Sequence, residues 1–411
     1  MIERTIYKEI LKTIRNKAVT VITGARQVGK TTLCGLIQRD MGFGYVSLAN
    51  VLDRQAAKRD PMAFLSLHPA PCIIDEIQKA PELFEYLEGV VDELIKQGRK
   101  RSLYVLTGSQ AYKLMKGVTE SMSGRVGLIS MEPLSLSEIN RVEEAPFAVD
   151  IARVSKRCAA YTIETLDLYD HIVRGFYPEL YDNPDLETAP FYADYLATYL
   201  ERDVSDFIEL RNKQKFVDLM TILASLTGQE LIYDNLAKSV GVDVKTAQSW
   251  VSVLIAGNII HLLQPYNEES VTKRVVRRPK VYFSDTGLAC YLARVGSRDT
   301  LINSYLKGAM VETYIINEII KSYKNNRKDA EASFYYFRTF DQNEIDLLIL
   351  SEGRLTLVEC KSGEEFRKKD IASFDLLKGT RYQLGKNAVV CTTRTIYPIG
   401  DDAYAFPVTA I

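Results

Sequence analysis

The pattern of apolar and polar residues in the first third of the chain predicts a sheet of buried strands joined by helices. Five short runs rich in apolar residues have the length of strands, at 18–23, 44–48, 71–76, 102–107 and 127–131. Segments between them have an apolar side and a polar side, which predicts helices over about 1–17, 30–37 and 52–67. Because strands alternate with helices, we expect an α/β fold with a parallel sheet.

After residue 135 the pattern becomes that of helices. Ser135 and Glu138 have the spacing of a capping box, in which each side chain satisfies a backbone N–H of the other residue. Over 136–210, aromatic and leucine residues recur at helical spacing, as at Tyr192, Tyr195 and Tyr199. We therefore expect a helical unit to follow the sheet.

Residues 215–285 predict a helix-turn-helix followed by a β-hairpin, or wing. Gly241 marks a tight turn between two helices, and Asp243 has the position of an N-cap for the second helix. The hairpin would join the apolar runs 259–263 and 280–283. The second helix has an apolar face and a polar face, made respectively by Val244, Ala247, Val251 and Leu254 and by Lys245, Thr246, Gln248 and Ser249.

Composition narrows the class of protein. The chain has 411 residues, 46% of them hydrophobic and 26% charged, with a net charge of -1. A nucleic-acid site must therefore be a local basic patch. The six cysteines form no CxxC pair, which favours reduced thiols in a cytosol over a zinc site. With neither a secretion signal nor an apolar run of transmembrane length in the sequence, we expect a cytoplasmic protein without a membrane partner.

The segment between the first strand and the helix after it has the spacing G-x-x-x-x-G-K-T of a P-loop. Gly24 and Gly29 allow the backbone to turn its N–H groups towards phosphate, and the helix start adds its positive end. Lys30 would reach the β- and γ-phosphates of ATP, and the Thr31 hydroxyl would ligate Mg²⁺. A chance glycine turn is the alternative, but strand and helix patterns flank the motif as its chemistry requires. The predicted nucleotide site comprises Gly24, Ala25, Arg26, Gln27, Val28, Gly29, Lys30, Thr31 and Thr32.

The strand predicted over 71–76 ends in two carboxylates, Asp75 and Glu76. Ligands of open α/β sheets bind at the carboxyl ends of strands, so Asp75 would hold Mg²⁺ and Glu76 would orient and activate the attacking water. Thr107 or Ser109, after a later strand, could supply a polar sensor of the γ-phosphate or simply end the strand in a turn. Arg125 could stabilise transition-state charge, contact a neighbouring subunit, or be solvated or salt-bridged.

These motifs together closely resemble prokaryotic AAA+ ATPases in which the ATPase core is fused to a C-terminal domain of unknown function. The residues that carry the resemblance are Gly24 to Leu33, Ile74 to Gln78, Leu106 to Ser109, and Gly124 with Arg125. The resemblance spans essentially the whole chain. It implies an AAA+ core, a helical lid and a nuclease-like tail. Assembly of the chain into a homo-oligomer is a further possibility. Arg174, in a motif associated with the same family, could sense the γ-phosphate or belong to a structural turn.

Five cations lie within residues 273–280, between the two strands of the predicted hairpin: Lys273, Arg274, Arg277, Arg278 and Lys280. Contact with nucleic-acid phosphates is one interpretation. The other is a winged helix used for protein packing, with the cations solvated or paired to acidic neighbours.

The last part of the chain places acidic and basic residues on a helix and two strands. Asp346 begins one strand, and Glu359 and Lys361 end the next on the same face of that strand. With Glu312 from the helix, three carboxylates and one amine could surround Mg²⁺ and a phosphodiester. The order resembles the PD-(D/E)XK restriction-endonuclease-like fold. The resemblance implies Asp346 and Glu359 as metal ligands, Lys361 as the group that positions water or stabilises charge, and Glu312 as an accessory ligand. A catalytically inactive scaffold of the same fold is the alternative.

We therefore expect four units: an AAA+ core (1–135), a helical lid (136–210), a winged helix-turn-helix (211–295) and a nuclease-like domain (296–411). The leading hypothesis is an ATP-hydrolysing protein whose nucleotide state controls the two C-terminal units, which act on DNA. The rival hypothesis is an ATP-gated protein-interaction switch with an inactive tail.

Overall fold

The structure, a computed structural model of the chain, describes residues 1–108, 124–204, 212–267, 278–339, 341–400 and 402–411. The first third contains a five-stranded parallel sheet in the order β2-β3-β4-β1-β5. One apolar cluster packs on each face of this sheet, which buries its strands on both sides. The predicted α/β core is confirmed. Its strands are β1 (Val19–Gly24), β2 (Gly44–Ser47), β3 (Cys72–Asp75), β4 (Tyr104–Thr107) and β5 (Val126–Met131).

In the described part of this region, five α-helices accompany the sheet, and one prediction about them was wrong. They are α1 (Ile6–Asn16), α2 (Lys30–Met41), α3 (Val51–Arg59), α4 (Pro61–Leu67) and α5 (Leu83–Lys96). The single helix predicted over 52–67 is two helices, α3 and α4. Pro61 has no N–H to continue α3, and the Asp60 side chain caps α4 by accepting from the N–H of Ala63 at 2.9 Å.

Helices also dominate the next segment, as predicted. They are α6 (Leu136–Ile139), α7 (Ile151–Ala160), α8 (Thr165–Arg174), α9 (Pro178–Asp182) and α10 (Thr188–Tyr199), and one π-helical turn (Leu200–Val204) follows. The capping box is present: Glu138 N–H donates to Ser135 Oγ at 3.1 Å, and Ser135 N–H donates to Glu138 Oε2 at 3.1 Å. Tyr192, Tyr195 and Tyr199 on α10 are buried.

The helix-turn-helix pattern is present in the structure with a three-stranded antiparallel sheet in the order β6-β8-β7. The elements are α11 (Lys213–Ser225), β6 (Gln229–Glu230), α12 (Tyr233–Val240), α13 (Val244–Ala256), β7 (Ile260–Leu263) and β8 (Lys280–Phe283). Asp243 caps α13 by accepting from Thr246 N–H at 2.9 Å. On α13, Ala247 and Leu254 are buried, while Lys245 and Gln248 are exposed. The tip of the predicted hairpin lies outside the described residues.

The C-terminal part is a seven-stranded mixed sheet preceded by a long helix. The helices are α14 (Thr286–Leu292), α15 (Arg298–Ile302), α16 (Lys307–Lys324) and α17 (Ala330–Ser333). The strands are β9 (Phe334–Arg338), β10 (Glu344–Ser351), β11 (Arg354–Cys360), β12 (Gln383–Leu384), β13 (Asn387–Cys391), β14 (Tyr397–Pro398) and β15 (Ala403–Pro407). Their order is β14-β15-β13-β11-β10-β9, with β12 beside β11.

Helix α16 connects the C-terminal sheet to the part of the chain that contains the five-stranded sheet. It is buried along most of its length, and its last turns contact the segment that follows β5. Glu318 accepts from the N–H of Leu136 at 2.7 Å. Lys321 donates to the carbonyl of Leu134 at 2.8 Å. An earlier turn of the same helix carries Glu312, so one rigid element reaches from the core to the predicted tail site. Across the described segments, each helix is too short or too polar to cross a bilayer.

Candidate functional site

The P-loop lies at the carboxyl edge of the parallel sheet, where it joins β1 to α2. Gly24 and Gly29 have φ angles of 139° and 96°, a region that favours glycine. A Cβ atom at Gly24 would lie 2.3 Å from the carbonyl oxygen of Met131 on β5. The first glycine is therefore required both by its backbone conformation and by the close approach of the neighbouring strand.

Lys30 is 7% exposed and is held by its own loop. Its Nζ donates to the carbonyls of Gly24 at 2.8 Å and Ala25 at 2.6 Å. Burial lowers the pKa of Lys30 to about 8, although the nearby Glu76 carboxylate opposes this effect. An incoming phosphate would offer the ammonium group a charged acceptor in place of two carbonyls.

Asp75 ends β3 and is 4% exposed, with three hydroxyl groups directed at its carboxylate. Tyr45 and Ser47 on β2 donate to Oδ2 at 3.1 and 3.0 Å. Thr107 at the end of β4 donates to Oδ1. Because β4 lies between β1 and β3, this threonine joins the predicted Mg²⁺ ligand to the strand beside the P-loop.

Glu76 follows Asp75 with a φ of 56°, an unusual conformation for a residue with a side chain. Such local strain is common at functional sites. Its N–H donates to Thr107 Oγ1 at 3.4 Å, and its carboxylate accepts from the side chain of Gln78. A Cβ atom at Gly108 would lie 2.2 Å from Gln78 Oε1, so the glycine after Thr107 makes room for this amide.

Two arginines at the P-loop, Arg4 and Arg26, make contacts that the sequence did not indicate. Arg4, which is 8% exposed, donates to the carbonyl of Val28 at 2.7 Å and pairs with Glu138 at 3.1 Å. Arg26, inside the loop, pairs with Asp203 through both carboxylate oxygens, one of them at 2.9 Å. Both partners are far away in sequence, so no local spacing could have indicated them.

The structure also places Arg125, considered for transition-state charge or a subunit contact, and Arg174, considered as a γ-phosphate sensor. Arg125 pairs with Asp92 at 2.8 Å and with Glu88 at 3.3 Å, and its carbonyl accepts from Val19 N–H at the start of β1. It therefore lies at the opposite end of β1 from the P-loop, which favours the salt-bridged alternative. Arg174 donates to the carbonyls of Leu180, Asn183 and Pro184 at the end of α9, which favours the structural turn. Ser109, the other sensor candidate, lies outside the described residues.

The residues at this edge fit a nucleotide with Mg²⁺. The loop has the backbone conformation that presents N–H groups to phosphate, with the buried ammonium of Lys30 beside it. The exposed side chain of Thr31 and the carboxylate of Asp75 are oxygen donors of the kind that Mg²⁺ prefers. Gln27 and Thr32 are exposed at the same loop and helix start.

The C-terminal sheet brings the predicted tail residues close together. Antiparallel pairing of β10 with β11 places Asp346 beside the end of β11, where it accepts from Cys360 N–H at 2.8 Å. Lys361 Nζ contacts Glu359 at 2.7 Å and Asp346 at 3.8 Å. Asp346 and Glu359 are each 6% exposed, and Glu359 Oε2 has no hydrogen-bond partner among the described residues.

A second set of carboxylates lies next to these residues and already holds a cation. Oxygen atoms of Glu312, Glu344 and Asp346 lie within 4.8 Å of one another, as metal ligands would. Lys280 Nζ is 2.9 Å from Glu312 Oε1 and 3.8 Å from Asp346 Oδ1, and it also contacts Glu344. In this arrangement the three carboxylates do not fit a metal ion, because an ammonium group lies among them.

The pKa directions agree with this geometry. Burial and then Asp346 raise the pKa of both Glu312 and Glu359 above the usual range. Burial disfavours the charged form of Lys280, yet the surrounding carboxylates raise its pKa above the usual lysine value. For Lys280, which was one of the five cations in the basic run, the structure supports pairing with acidic neighbours. Lys273, Arg274 and Arg277 lie outside the described residues.

Comparison with known proteins divides the chain into three matched regions. Residues 16–140 match the family described as "AAA domain". Residues 165–299 and 307–411 match two families described as domains of unknown function, DUF8612 and DUF4143.

Similar proteins are known from bacteria and archaea. Uncharacterized proteins of Mycobacterium bovis and Mycobacterium tuberculosis are each 27% identical over 404 residues, which cover 97% of this chain and 82% of theirs. Among solved structures, a Walker-type ATPase of Pyrococcus abyssi superposes with a TM-score of 0.43 and is 15% identical in sequence. The aligned region covers 70% of this chain and 94% of the Pyrococcus chain. Residues 16–140 are thus similar to an AAA domain family, and the two matched regions after them belong to families whose function is unknown.

Proposed function

We propose that this chain binds and hydrolyses ATP with Mg²⁺ and that its nucleotide state controls the C-terminal units. One observation supports the proposed ATP hydrolysis: the Thr107 hydroxyl donates to the carboxylate of Asp75 and accepts from the N–H of Glu76. The same strand edge carries the P-loop with its buried Lys30. A phosphate group held by the loop would thus meet a metal ligand and a candidate base at a single edge of the sheet.

Each residue has a distinct role in this proposal. The loop N–H groups and Lys30 bind the β- and γ-phosphates. Thr31 and Asp75 hold Mg²⁺, which would neutralise phosphate charge. Glu76 accepts a proton from the attacking water, and Gln78 positions the Glu76 carboxylate.

The proposed control over the C-terminal units has a physical route. Arg4 links the P-loop carbonyl of Val28 to Glu138 in α6. The backbone that leads into α6 is bonded to Glu318 and Lys321 of α16. A change of the loop on nucleotide binding would be transmitted along these contacts, which is a hypothesis about coupling that only paired variants can test.

DNA is the ligand we propose for the helix-turn-helix, which together with its three-stranded sheet we interpret as a winged helix. The supporting observation is the exposed polar face of α13, with Lys245, Gln248 and Ser249 directed away from the core. Arg278 is also exposed, whereas Lys280 is buried and belongs to another contact. An interaction switch that binds protein is the second candidate, because the ammonium among the tail carboxylates favours a tail that does not cleave.

ATP turnover and nucleotide binding by the full chain test the central proposal. We expect Lys30→Ala to abolish or sharply weaken nucleotide binding, because the phosphate charge loses its counter-ion. Glu76→Gln should retain binding and lower turnover by roughly 100-fold or more, since an amide cannot act as the base. Lys12→Ala and Glu93→Gln, with side chains 69% and 62% exposed, are charge-matched controls and should leave turnover unchanged. Wild-type turnover by Glu76→Gln would contradict the assignment.

DNA binding is tested separately by fluorescence anisotropy of a labelled duplex over a range of salt concentrations. A DNA-binding α13 predicts salt-dependent binding that weakens in Lys245→Ala combined with Gln248→Ala, and not in Lys12→Ala. Binding that is equal in all three proteins, or absent in each, would favour the protein-interaction candidate.

A further inference from the structure

We propose that Lys280 is an internal inhibitor of the tail: its ammonium group takes the place of a divalent metal ion among Glu312, Glu344 and Asp346. The proposal goes beyond the proposed ATPase function, and it takes from the sequence only the expectation that Glu312 and Asp346 are of the kind that ligate a metal ion. The proposal rests on the position and burial of the Lys280 ammonium group. It predicts that the three carboxylates bind either a metal ion or Lys280 of β8, and not both at once.

The first argument is the position of the ammonium group. The three carboxylates come from α16 and β10 of the C-terminal part, whereas Lys280 begins β8 in the three-stranded sheet. Lys280 Nζ contacts an oxygen of every member of the cluster. An oxygen atom paired with an ammonium group cannot at the same time ligate a divalent ion at close range, because the two cations would repel each other.

The second argument is that Lys280 is built into this position. Its side chain is 2% exposed, and Nζ lies 5.6 Å from the centre of the Tyr336 ring. Tyr282, two residues later on the same strand face, donates to Glu312 Oε1 at 2.7 Å. Pairing with β7 fixes the backbone, with Lys280 opposite Leu263. Lys280 and Tyr282, both from β8, thus contact the same carboxylate oxygen of Glu312. A surface lysine that lay over an acidic patch by chance would not have a second buried donor from its own strand beside it.

The third argument is the contrast with Lys361, the lysine that the tail motif itself supplies. Lys361 contacts Glu359 and Asp346, and its side chain is 36% exposed. Asp346 therefore lies between two lysines, one from its own sheet and one from β8. The unpaired Oε2 of Glu359 shows that the carboxylates on the Lys361 side retain an acceptor that no described residue satisfies.

Release would require a movement between two parts of the molecule. The Lys280 side chain is 2% exposed, and Tyr282 of the same strand bonds to the same glutamate, so we expect that β8 as a whole must move to withdraw Nζ. The three-stranded sheet that contains β8 belongs to the same segment of the chain as the helix-turn-helix. A ligand or nucleotide state that withdraws this unit would expose the carboxylates, whereas the docked unit keeps them paired with lysine.

Mn²⁺ binding to the full chain without nucleotide, measured by electron paramagnetic resonance and calorimetry, tests the inference. We expect weak or undetectable binding in the wild type and at least roughly tenfold tighter binding in Lys280→Met, since three carboxylates are then left without their cation. Lys280→Arg retains a cation and should behave as the wild type. Adding Asp346→Asn to Lys280→Met should remove the gained binding.

Several outcomes would overturn the inference. One is wild-type Mn²⁺ binding that disappears in Asp346→Asn, because the lysine would then not exclude the metal. Another is a folded Lys280→Met protein that gains no binding. If the methionine variant fails to fold, Lys280→Gln keeps a hydrogen-bond donor of similar length and takes its place. ATP turnover measured on the same preparations separates the two proposals, because a lack of turnover would count against the ATPase alone.

Discussion

Arg26 of the P-loop and Asp203, 177 residues later, form an ion pair with two contacts, in which Arg26 Nη2 lies 2.9 Å from Asp203 Oδ1. The side chains are 20% and 9% exposed, so water screens the pair only partly. Asp203 lies in the π-helical turn directly after α10. This contact joins the loop that would hold phosphate to the helical segment that follows the core.

We predict that Asp203→Asn tightens nucleotide binding. The carboxylate both occupies Arg26 and adds negative charge near the place where a polyphosphate would bind. Its neutralisation should tighten ATP and ADP binding by roughly threefold to tenfold, which corresponds to about 1 kcal/mol. Titration of the full chain with a fluorescent nucleotide measures the change. Asp194→Asn, at an exposed position on α10, is the matched control.

The opposite result would also be informative. If Asp203→Asn weakens binding as much as Arg26→Gln does, the pair supports the shape of the loop and does not compete with phosphate. A double-mutant cycle of the two changes would then give the coupling energy directly.

Gly24→Ala should abolish nucleotide binding. The substitution puts a Cβ atom 2.3 Å from the Met131 carbonyl at a φ of 139°, so either the loop or β5 must move. Gly35→Ala is the matched control, because Gly35 lies within α2 with no atom within 4 Å of the added Cβ. We expect the control to bind nucleotide normally and to be stabilised by roughly 0.5–1 kcal/mol. Equal binding by both variants would show that the loop tolerates displacement.

Arg174→Gln should destabilise the protein without a specific effect on hydrolysis. Its guanidinium satisfies carbonyls of Leu180, Asn183 and Pro184, which the shorter amide cannot reach together. We expect a loss of roughly 1–3 kcal/mol in thermal or denaturant unfolding and a turnover number close to that of the wild type. Arg394→Gln removes an exposed ion pair with Glu164 and serves as the control. A large fall in turnover at unchanged stability would restore the sensor hypothesis.

We predict that Glu144 makes the free energy of unfolding decrease as pH rises from about 4.5 to about 7. Burial, and then the neighbouring Glu138 carboxylate, raises its pKa from 4.5 to about 7 in the folded protein. Between these two values the folded chain binds more protons than the unfolded chain, so stability decreases as pH increases, and the full cost remains above pH 7. The hydrogen bond that Glu144 accepts from Asn325 Nδ2, at 2.9 Å, offsets this effect only in part.

Glu144→Gln should therefore stabilise the protein at pH 8 by on the order of 1–3 kcal/mol and have little effect at pH 4.5. Melting temperatures across this range measure the difference, and the exposed neighbour Glu143→Gln is the control. A parallel shift of the whole curve would mean that the substitution changes packing and not proton binding.

The sequence by itself determined much of the secondary structure and the position of the candidate nucleotide site. Buried strands and amphipathic helices are encoded by local periodicity. The five strands predicted for the first sheet and the two tail strands predicted to carry Asp346 and Glu359 are therefore present in the structure. The P-loop with Asp75 and Glu76 could be predicted for the same reason, since a short spacing places each group at a strand end. The boundary at Pro61 was missed, although proline there is itself a local signal, and α5 was not predicted either.

Tertiary structure decided which distant charges meet. Arg26 pairs with Asp203, Arg4 with Glu138, and Lys280 with Glu312, each across a separation in sequence that no periodicity describes. Strand alternation could have suggested that Glu344 shares a face with Asp346, but not that a lysine of another sheet lies between them. Packing of β8 against α16 and β10 is what turned a residue of the predicted basic patch into a buried cation, because burial makes an unpaired charge too costly.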